Sequence, residues 1–262
     1  MQKKILITGG SGFLGSHLSD ILSENGYKVI IYDINNSKYI KKNQKFIKGD
    51  LSNKEKLIKD LKDVHAVYHF ASIADIYKAN QNPHNALNAN IICTNNLLEA
   101  CIKNKIKQFI FASSIYVYSK YGGIYRITKQ TCESLIEHYA ERYSLNFTIL
   151  RFGSLYGTRA NNFNWMSKIL REAITKKILH RNGTGEELRE YINVKDAANF
   201  CSSIMLNKYF NKHIMVTGNQ VVKIKDLLKI INEIFDNKLK IKIIKKRLDD
   251  HYENTPYSYM PK

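Results

Sequence analysis

"KKILITGGSGFLGSHL", residues 3–18, is a β-branched run that breaks into glycines and resumes as an amphipathic helix. Gly9, Gly12 and Gly15 stand at G-x-x-G-x-x-G spacing between the two. A strand that turns at once into a helix needs a tight turn, a bare backbone where a pyrophosphate approaches, and close packing of helix on strand. Phe13 and Leu14 open the helix, whose first N–H groups lack intrahelical partners and favour phosphate oxygens. Set between strand and helix, the triplet reads as a dinucleotide fingerprint rather than a structural turn. Asp33 ends the next strand, 18 residues after Gly15. A carboxylate there accepts bonds from the adenosine ribose hydroxyls and repels a 2′-phosphate, which favours NAD over NADP.

The same rhythm continues downstream. Residues 28–33, 45–50, 66–71, 107–113 and 146–152 read as buried strands, and 13–25, 54–62, 84–104 and 124–143 as helices between them. Repeated strand–helix–strand order predicts an α/β fold with a parallel sheet covered on both faces. After residue 152 the pattern gives way to Gly- and Asn-rich loops, one helix at 163–177 and a small α/β tail. The expected division is a cofactor-binding domain over 1–155, to which some later segments return, and a substrate-binding lobe over 156–262.

Bulk composition narrows the function classes. No window holds eighteen apolar residues, so no membrane span is expected. Cys93, Cys101, Cys132 and Cys201 form no CxxC and have no His at ligand spacing, which reads as buried thiols in a cytoplasm and no metal site. The net charge of +18 comes from 33 Lys against 8 Arg, spread along the chain. A nucleic-acid footprint more often clusters and uses Arg forks, so composition and attraction of an anionic small substrate are preferred to nucleic acid.

Further motifs follow in order: "GDLSN" (49–53), "HFAS" (69–72), "NANIICTNNLLEA" (88–100), "FIFASSIYVY" (109–118), "RFGSLYGTR" (151–159) and "RNGTGEELREYINVKDAA" (181–198). With the glycine turn, they resemble the extended short-chain dehydrogenase/reductase family, in its NAD-dependent nucleotide-sugar epimerase/dehydratase branch. The resemblance runs from residue 4 to about 200. It implies a Rossmann-type doubly wound parallel sheet with a small C-terminal α/β lobe, NAD as cofactor, and a nucleotide-diphosphate sugar as substrate. It also implies that Asp50 and Leu51 meet the adenine, and that Phe70, Ala71 and Ser72 end a strand under the cofactor, Ser72 replacing an Ala. Asn90 takes the place of the family's helix Asn, with His69 and Asn90 also readable, as the lesser alternative, as satisfied structural polar groups. A homodimer packed through helices 84–104 and 124–143 is implied as well.

Chemistry requires a choice between two pairs. Tyr116 precedes Lys120 by four residues and Tyr125 precedes Lys129 by four, whereas 17 Tyr and 33 Lys in 262 residues make about two such pairs by chance. Proton abstraction needs a Tyr whose pKa is lowered by a Lys one helical turn away, so both must lie in one helix. Lys120 runs directly into Tyr121-Gly122-Gly123, which ends any helix, while Tyr125 and Lys129 open an amphipathic segment with Leu135, Ile136, Tyr139 and Tyr143. The resemblance makes Ser114 the catalytic hydroxyl, Tyr125 the base toward a sugar hydroxyl, and Lys129 the group that lowers the Tyr pKa and bonds the nicotinamide ribose.

Departures from the family pattern matter. Ten residues separate Ser114 from Tyr125, a shorter loop than in the nucleotide-sugar members. Dehydratases of the family carry Asp-Glu directly after the active-site Ser/Thr; Ile115 and Tyr116 stand there instead, which disfavours dehydration. Ser154 replaces the family Asn that helps place the substrate phosphates, and Arg189 takes the Arg position where a guanidinium meets the diphosphate bidentately. Arg159 and Arg181 are further phosphate candidates, and Asp196 is expected to cap the helix that follows it. The chain is shorter than most relatives, so either a C-terminal segment is missing or the lobe is minimal. The function expected is an epimerase working through a 4-keto sugar. The alternatives are a 4-dehydrogenase or ketoreductase of the same family and an NAD-binding regulator with a dormant site.

Overall fold

Residues Lys4–Thr8 (β1) send Ile5 and Ile7 into one apolar layer and Leu6 into another. Burial on both faces is what an interior parallel strand requires. The structure, a computed structural model, describes residues 2–245 and 250–257. After β1 come α1 (Phe13–Glu24), β2 (Lys28–Asp33), β3 (Gln44–Lys48), α2 (Lys54–Asp60), β4 (Val64–His69), α3 (Ile76–Gln81), α4 (Pro83–Leu87), α5 (Cys93–Lys103), β5 (Gln108–Ser114), α6 (Gly123–Tyr143) and β6 (Phe147–Phe152). Beyond them lie β7 (Ser154–Tyr156), α7 (Trp165–Lys176), β8 (Ile178–Asn182), β9 (Leu188–Asn193), α8 (Val194–Ser203), β10 (Lys212–Val216), β11 (Val221–Lys223), α9 (Ile224–Ile234) and β12 (Lys240–Ile244).

Seven strands form one parallel sheet in the order β10-β6-β5-β4-β1-β2-β3. The chain builds outward from β1 to β3, then returns to the other side of β1 with β4. That reversal opens a crevice at the carboxyl ends of β1 and β4, where open α/β sheets bind ligands. Each strand expected from the sequence lies in this sheet. The one expected at 45–50 ends at Lys48; Gly49 follows against the Tyr32 ring, where a Cβ would come within 2.1 Å of it.

One face of the sheet is covered by α2, α5 and α6 around Leu57, Leu97, Leu98 and Ile136, the other by α1 and α8 around Leu18, Leu22, Ala197 and Cys201. Thus α8 and β10, from the C-terminal half, return to the large sheet. Asn193, not Asp196, caps α8: its side chain accepts from Lys195 N, and Asp196 lies within the first turn. The smaller lobe packs α7 and α9 on β8 around Ile169, Leu179 and Leu228. Among the described residues, no helix is long and apolar enough to cross a membrane.

The helix expected at 84–104 is interrupted by a π-helical turn, Asn88–Ile92, between α4 and α5. Such turns carry one extra residue and mark positions under a local demand. Here the demand is made by Asn90, buried in the turn: its Oδ1 accepts from Ile73 N at 2.7 Å and its Nδ2 donates to Thr128 Oγ1 at 3.0 Å.

Candidate active site

The glycine turn is held from below. Gly9 N donates to Tyr32 O and Gly12 N to Gly9 O, both at 3.0 Å. Gly9 sits at φ +68°, and a Cβ on it would lie 2.6 Å from Ala71 N; on Gly15 it would lie 2.3 Å from Gly9 O. These are backbone neighbours that cannot swing aside. The turn thus brings β1, the end of β4 and α1 closer together than any larger residue permits. Gly12 caps α1 with no side-chain bond, and no acidic residue lies in the first turn, so the N–H groups there are open to an anion. Asp33, at the end of β2, accepts from Ser11 N at 3.1 Å and Asn35 N at 2.9 Å. Asp50 is exposed beside the buried Leu51, while Phe70, Ala71 and Ser72 follow β4 into the crevice. This cradle fits a dinucleotide: a bare turn, an uncapped helix start and one carboxylate at the strand end.

Asn90 differs from a direct cofactor contact. Its amide is engaged by Ile73 and Thr128, so it braces the loop after β4 against α6. His69 is likewise satisfied, between Thr8 Oγ1 at 2.7 Å and Thr94 Oγ1 at 2.8 Å. Burial lowers its pKa to about 3, so it stays neutral.

The two Tyr–Lys pairs separate cleanly. Tyr116 lies on a single turn of 3-10 helix, Ile115–Tyr118, and Lys120 lies beyond it. Gly122, at φ +96°, then caps α6, and a Cβ on it would meet the Tyr116 ring at 2.7 Å. Tyr125 and Lys129 both fall in the first turns of α6 and are buried. Burial raises the Tyr125 phenol pKa, and the neighbouring Ser114 hydroxyl lowers it. Lys129 Nζ donates to Ala112 O at 2.7 Å and stands 5.8 Å from the Tyr125 ring centroid. Burial brings the ammonium pKa down to about 8, opposed by Cys132 and Glu133 on the same helix. Behind it, Glu133 accepts from Ser113 and from the Arg151 guanidinium, fixing α6 to β5 and β6.

A cavity of about 500 Å³ opens between the carboxyl ends of the large sheet and the lobe. Ser154, Arg181 and Arg189 line it together with Tyr116, Trp165 and His251. The Arg189 guanidinium stacks on Tyr252 at 4.1 Å, and Arg181 lies over Trp165 at 5.0 Å. Arg181 Nε is buried with no hydrogen-bond partner among the described residues. Such an unmet charged donor is costly unless something enters to accept from it. Arg159 does not join this wall: it pairs with Asp20 on α1 at 2.8 Å and stacks over Tyr39. Trp165 and His251 have no motif to mark them, and Tyr116 enters the sequence reading only in the discarded first Tyr–Lys pair and in place of a dehydratase acid; their meeting depends on contacts remote in sequence. The final residues of the tail, 258–262, lie outside the described residues.

The chain's family and fold are shared with known proteins. The family model described as the NAD dependent epimerase/dehydratase family matches residues 5–218. A UDP-glucose 4-epimerase from Thermotoga maritima, solved with UDP-glucose, is 27% identical, with a TM-score of 0.89 over 98% of this chain and 90% of that one. A UDP-glucuronic acid 4-epimerase from Bacillus cereus, solved with UDP-glucuronic acid and NAD, is 25% identical, with a TM-score of 0.87 over 96% and 89%. A UDP-N-acetyl-α-D-glucosaminuronate decarboxylase from Bacillus cytotoxicus is 28% identical over 267 residues, 92% of this chain and 83% of its own.

Proposed function

The chain belongs to the NAD dependent epimerase/dehydratase family, and from that premise we propose that it is a nucleotide-sugar epimerase acting through a 4-keto sugar. The observation that carries the reading is the buried trio Ser114, Tyr125 and Lys129 where β5 ends and α6 begins, its Tyr125 ring packed edge-on against Tyr116, which lines the cavity that holds Arg181 and Arg189. NAD, when bound, supplies a hydride acceptor that can return the hydride to the opposite face of the sugar carbon. Gly9, Gly12, Phe13, Leu14 and Gly15 would hold its diphosphate, Asp33 its ribose, Asp50 and Leu51 its adenine, and Phe70, Ala71 and Ser72 its nicotinamide side. Asn90 would act on that side through its brace on Ile73.

Tyr125 takes the proton of the sugar hydroxyl and Ser114 holds the same oxygen. Lys129, its Nζ 5.8 Å from the Tyr125 ring centroid, favours the phenolate by charge. Arg189 and Arg181 donate to the substrate diphosphate, and Ser154 borders the same space. At 115 and 116 stand Ile and Tyr, not the acidic pair that water elimination employs in this family. Chemistry confined to Ser114, Tyr125 and Lys129 therefore stops at oxidation and return. A homodimer through α5 and α6 is part of the proposal: both bury one face, and each segment still exposes apolar residues, Ile92 in the π turn and Ile127 on α6.

Incubation with UDP-, GDP-, CDP- and dTDP-sugars, followed by mass and NMR analysis, tests the reading. An unchanged mass with inverted C4 is expected. Loss of two hydrogens would make the protein a 4-dehydrogenase, and loss of water would refute the argument from Ile115 and Tyr116.

A further inference from the structure

Only ten residues join Ser114 to Tyr125. Residues 250–257 pack against their turn, with His251 and Tyr252 on the Tyr116 ring. Gly122 N, at the start of α6, donates to Asp250 O at 3.0 Å, and Leu188 N donates to Glu253 O at 2.8 Å. Asn80, near the end of α3, donates to Asp250 Oδ1 at 2.9 Å and accepts from Ile124 N at 2.8 Å, tying the segment to the turn. Thr255 Oγ1 donates to Glu190 Oε1 at 2.8 Å, and Tyr252 is buried between Arg189 and Tyr116. A segment fastened at so many separate points is a fixed wall of the cavity.

That wall delivers His251. Its Nδ1 lies 2.6 Å from the Tyr116 hydroxyl, and Tyr116 packs edge-on against Tyr125 with centroids 6.2 Å apart. Burial and the charges of Arg189 and Arg181 hold the imidazole pKa down to about 4, against the opposite pull of Asp250 and Asp75. Burial also raises the Tyr116 pKa, so the phenol keeps its proton. In the tautomer in which the Tyr116 phenol donates to Nδ1, the imidazole proton sits on Nε2. His251 lines the cavity, and its Nε2 has no protein partner among the described residues.

We propose that His251 is a substrate-recognition residue, donating its Nε2–H to an oxygen of the bound sugar, with Tyr116 as the positioning residue that fixes the tautomer. The inference rests on the nucleotide-sugar reading and adds a recognition group carried by the segment packed on the short turn. Two variants dissect the ring. His251→Asn keeps an acceptor near Nδ1 for Tyr116 but removes the cavity donor, whereas His251→Gln keeps a donor near Nε2. With a nucleotide sugar from the panel that the parent turns over, KM should rise roughly tenfold in His251→Asn, with kcat within about threefold. His251→Gln should stay within about threefold of the parent KM, Tyr116→Phe should fall between the two, and affinity for NADH should be unchanged in all three. An unchanged KM in His251→Asn overturns the inference alone. So does an effect confined to kcat, or an equal loss in both His251 variants accompanied by weaker NADH binding. A parent chain inert toward every nucleotide sugar removes the reading itself, and the inference with it.

Discussion

Gly9, Gly12 and Gly15 lie within seven residues of one another, whereas Tyr116, Ser154, Arg181, Arg189 and His251 are drawn from segments spread over more than half of the chain. The first group acts through backbone: its geometry is set by a turn, a helix start and contacts at atomic closeness. The second acts through side chains held by stacking and long-range bonds, such as Arg189 on Tyr252 and Tyr116 on His251. A backbone site is specified locally and tolerates almost no added atoms. A side-chain site is specified by the whole fold and can be retuned one residue at a time.

The trio between these regions should give the largest effect. Tyr125→Phe preserves the ring packed against Tyr116 and removes only the hydroxyl. A fall in kcat of roughly 10²- to 10⁴-fold is expected, with NADH affinity retained, as measured by steady-state kinetics and fluorescence titration. Tyr116→Phe should act mainly on KM. The reverse pattern would transfer the chemistry to the first pair.

Next in size is a single methyl group on the backbone site. Gly15→Ala would set its Cβ against Gly9 O and Gly10 Cα, at 2.3 and 2.8 Å. The turn must move, so NADH affinity should drop by about 100-fold, and folding stability by roughly 1–3 kcal/mol in urea titration. A variant that binds NADH as well as the parent would show that the cradle is less rigid than its contacts imply. On the side-chain site the corresponding change is gentler. Arg189→Lys keeps the charge but loses the planar fork, and KM for the nucleotide sugar should rise about 10-fold with NADH affinity unaltered.

This contrast also explains what the amino-acid sequence makes legible. Strand and helix periodicity is a local property, and the strands from β1 to β6 follow from it directly. The glycine spacing and the break at Gly122-Gly123 are local too, and they separate Tyr125–Lys129 from Tyr116–Lys120. The π turn is not legible, because it answers a demand from Ile73 and Thr128, remote in sequence from Asn90. Nor is the Arg159–Asp20 pair, which turns a candidate phosphate ligand into a bolt between the loop after β7 and α1. His251 is the extreme case: no spacing marks it, and its place is set by bonds of neighbouring residues to Asn80, Gly122 and Leu188.

The smallest effect expected concerns the hinge between the two regions, Lys129. Burial lowers its pKa to about 8 in the folded protein, while an unfolded chain holds the same proton up to about 10.4. Below pH 8 both states are protonated and the full cost of burying the ammonium persists. Between pH 8 and 10 the unfolded state binds more protons, so this group makes stability rise with pH. The buried thiols of Cys93, Cys101, Cys132 and Cys201 are pushed up and act in the opposite sense over the same range, so the parent alone is not diagnostic. The comparison must be with Lys129→Met, which lacks the titration and keeps the thiols. Without added cofactor, the stability of the variant relative to the parent should shrink by roughly 1–2 kcal/mol from pH 7.5 to 9.5, read by urea titration. A constant difference would mean that the folded protein keeps the Lys129 proton throughout, with Ala112 O and Glu133 already compensating the charge.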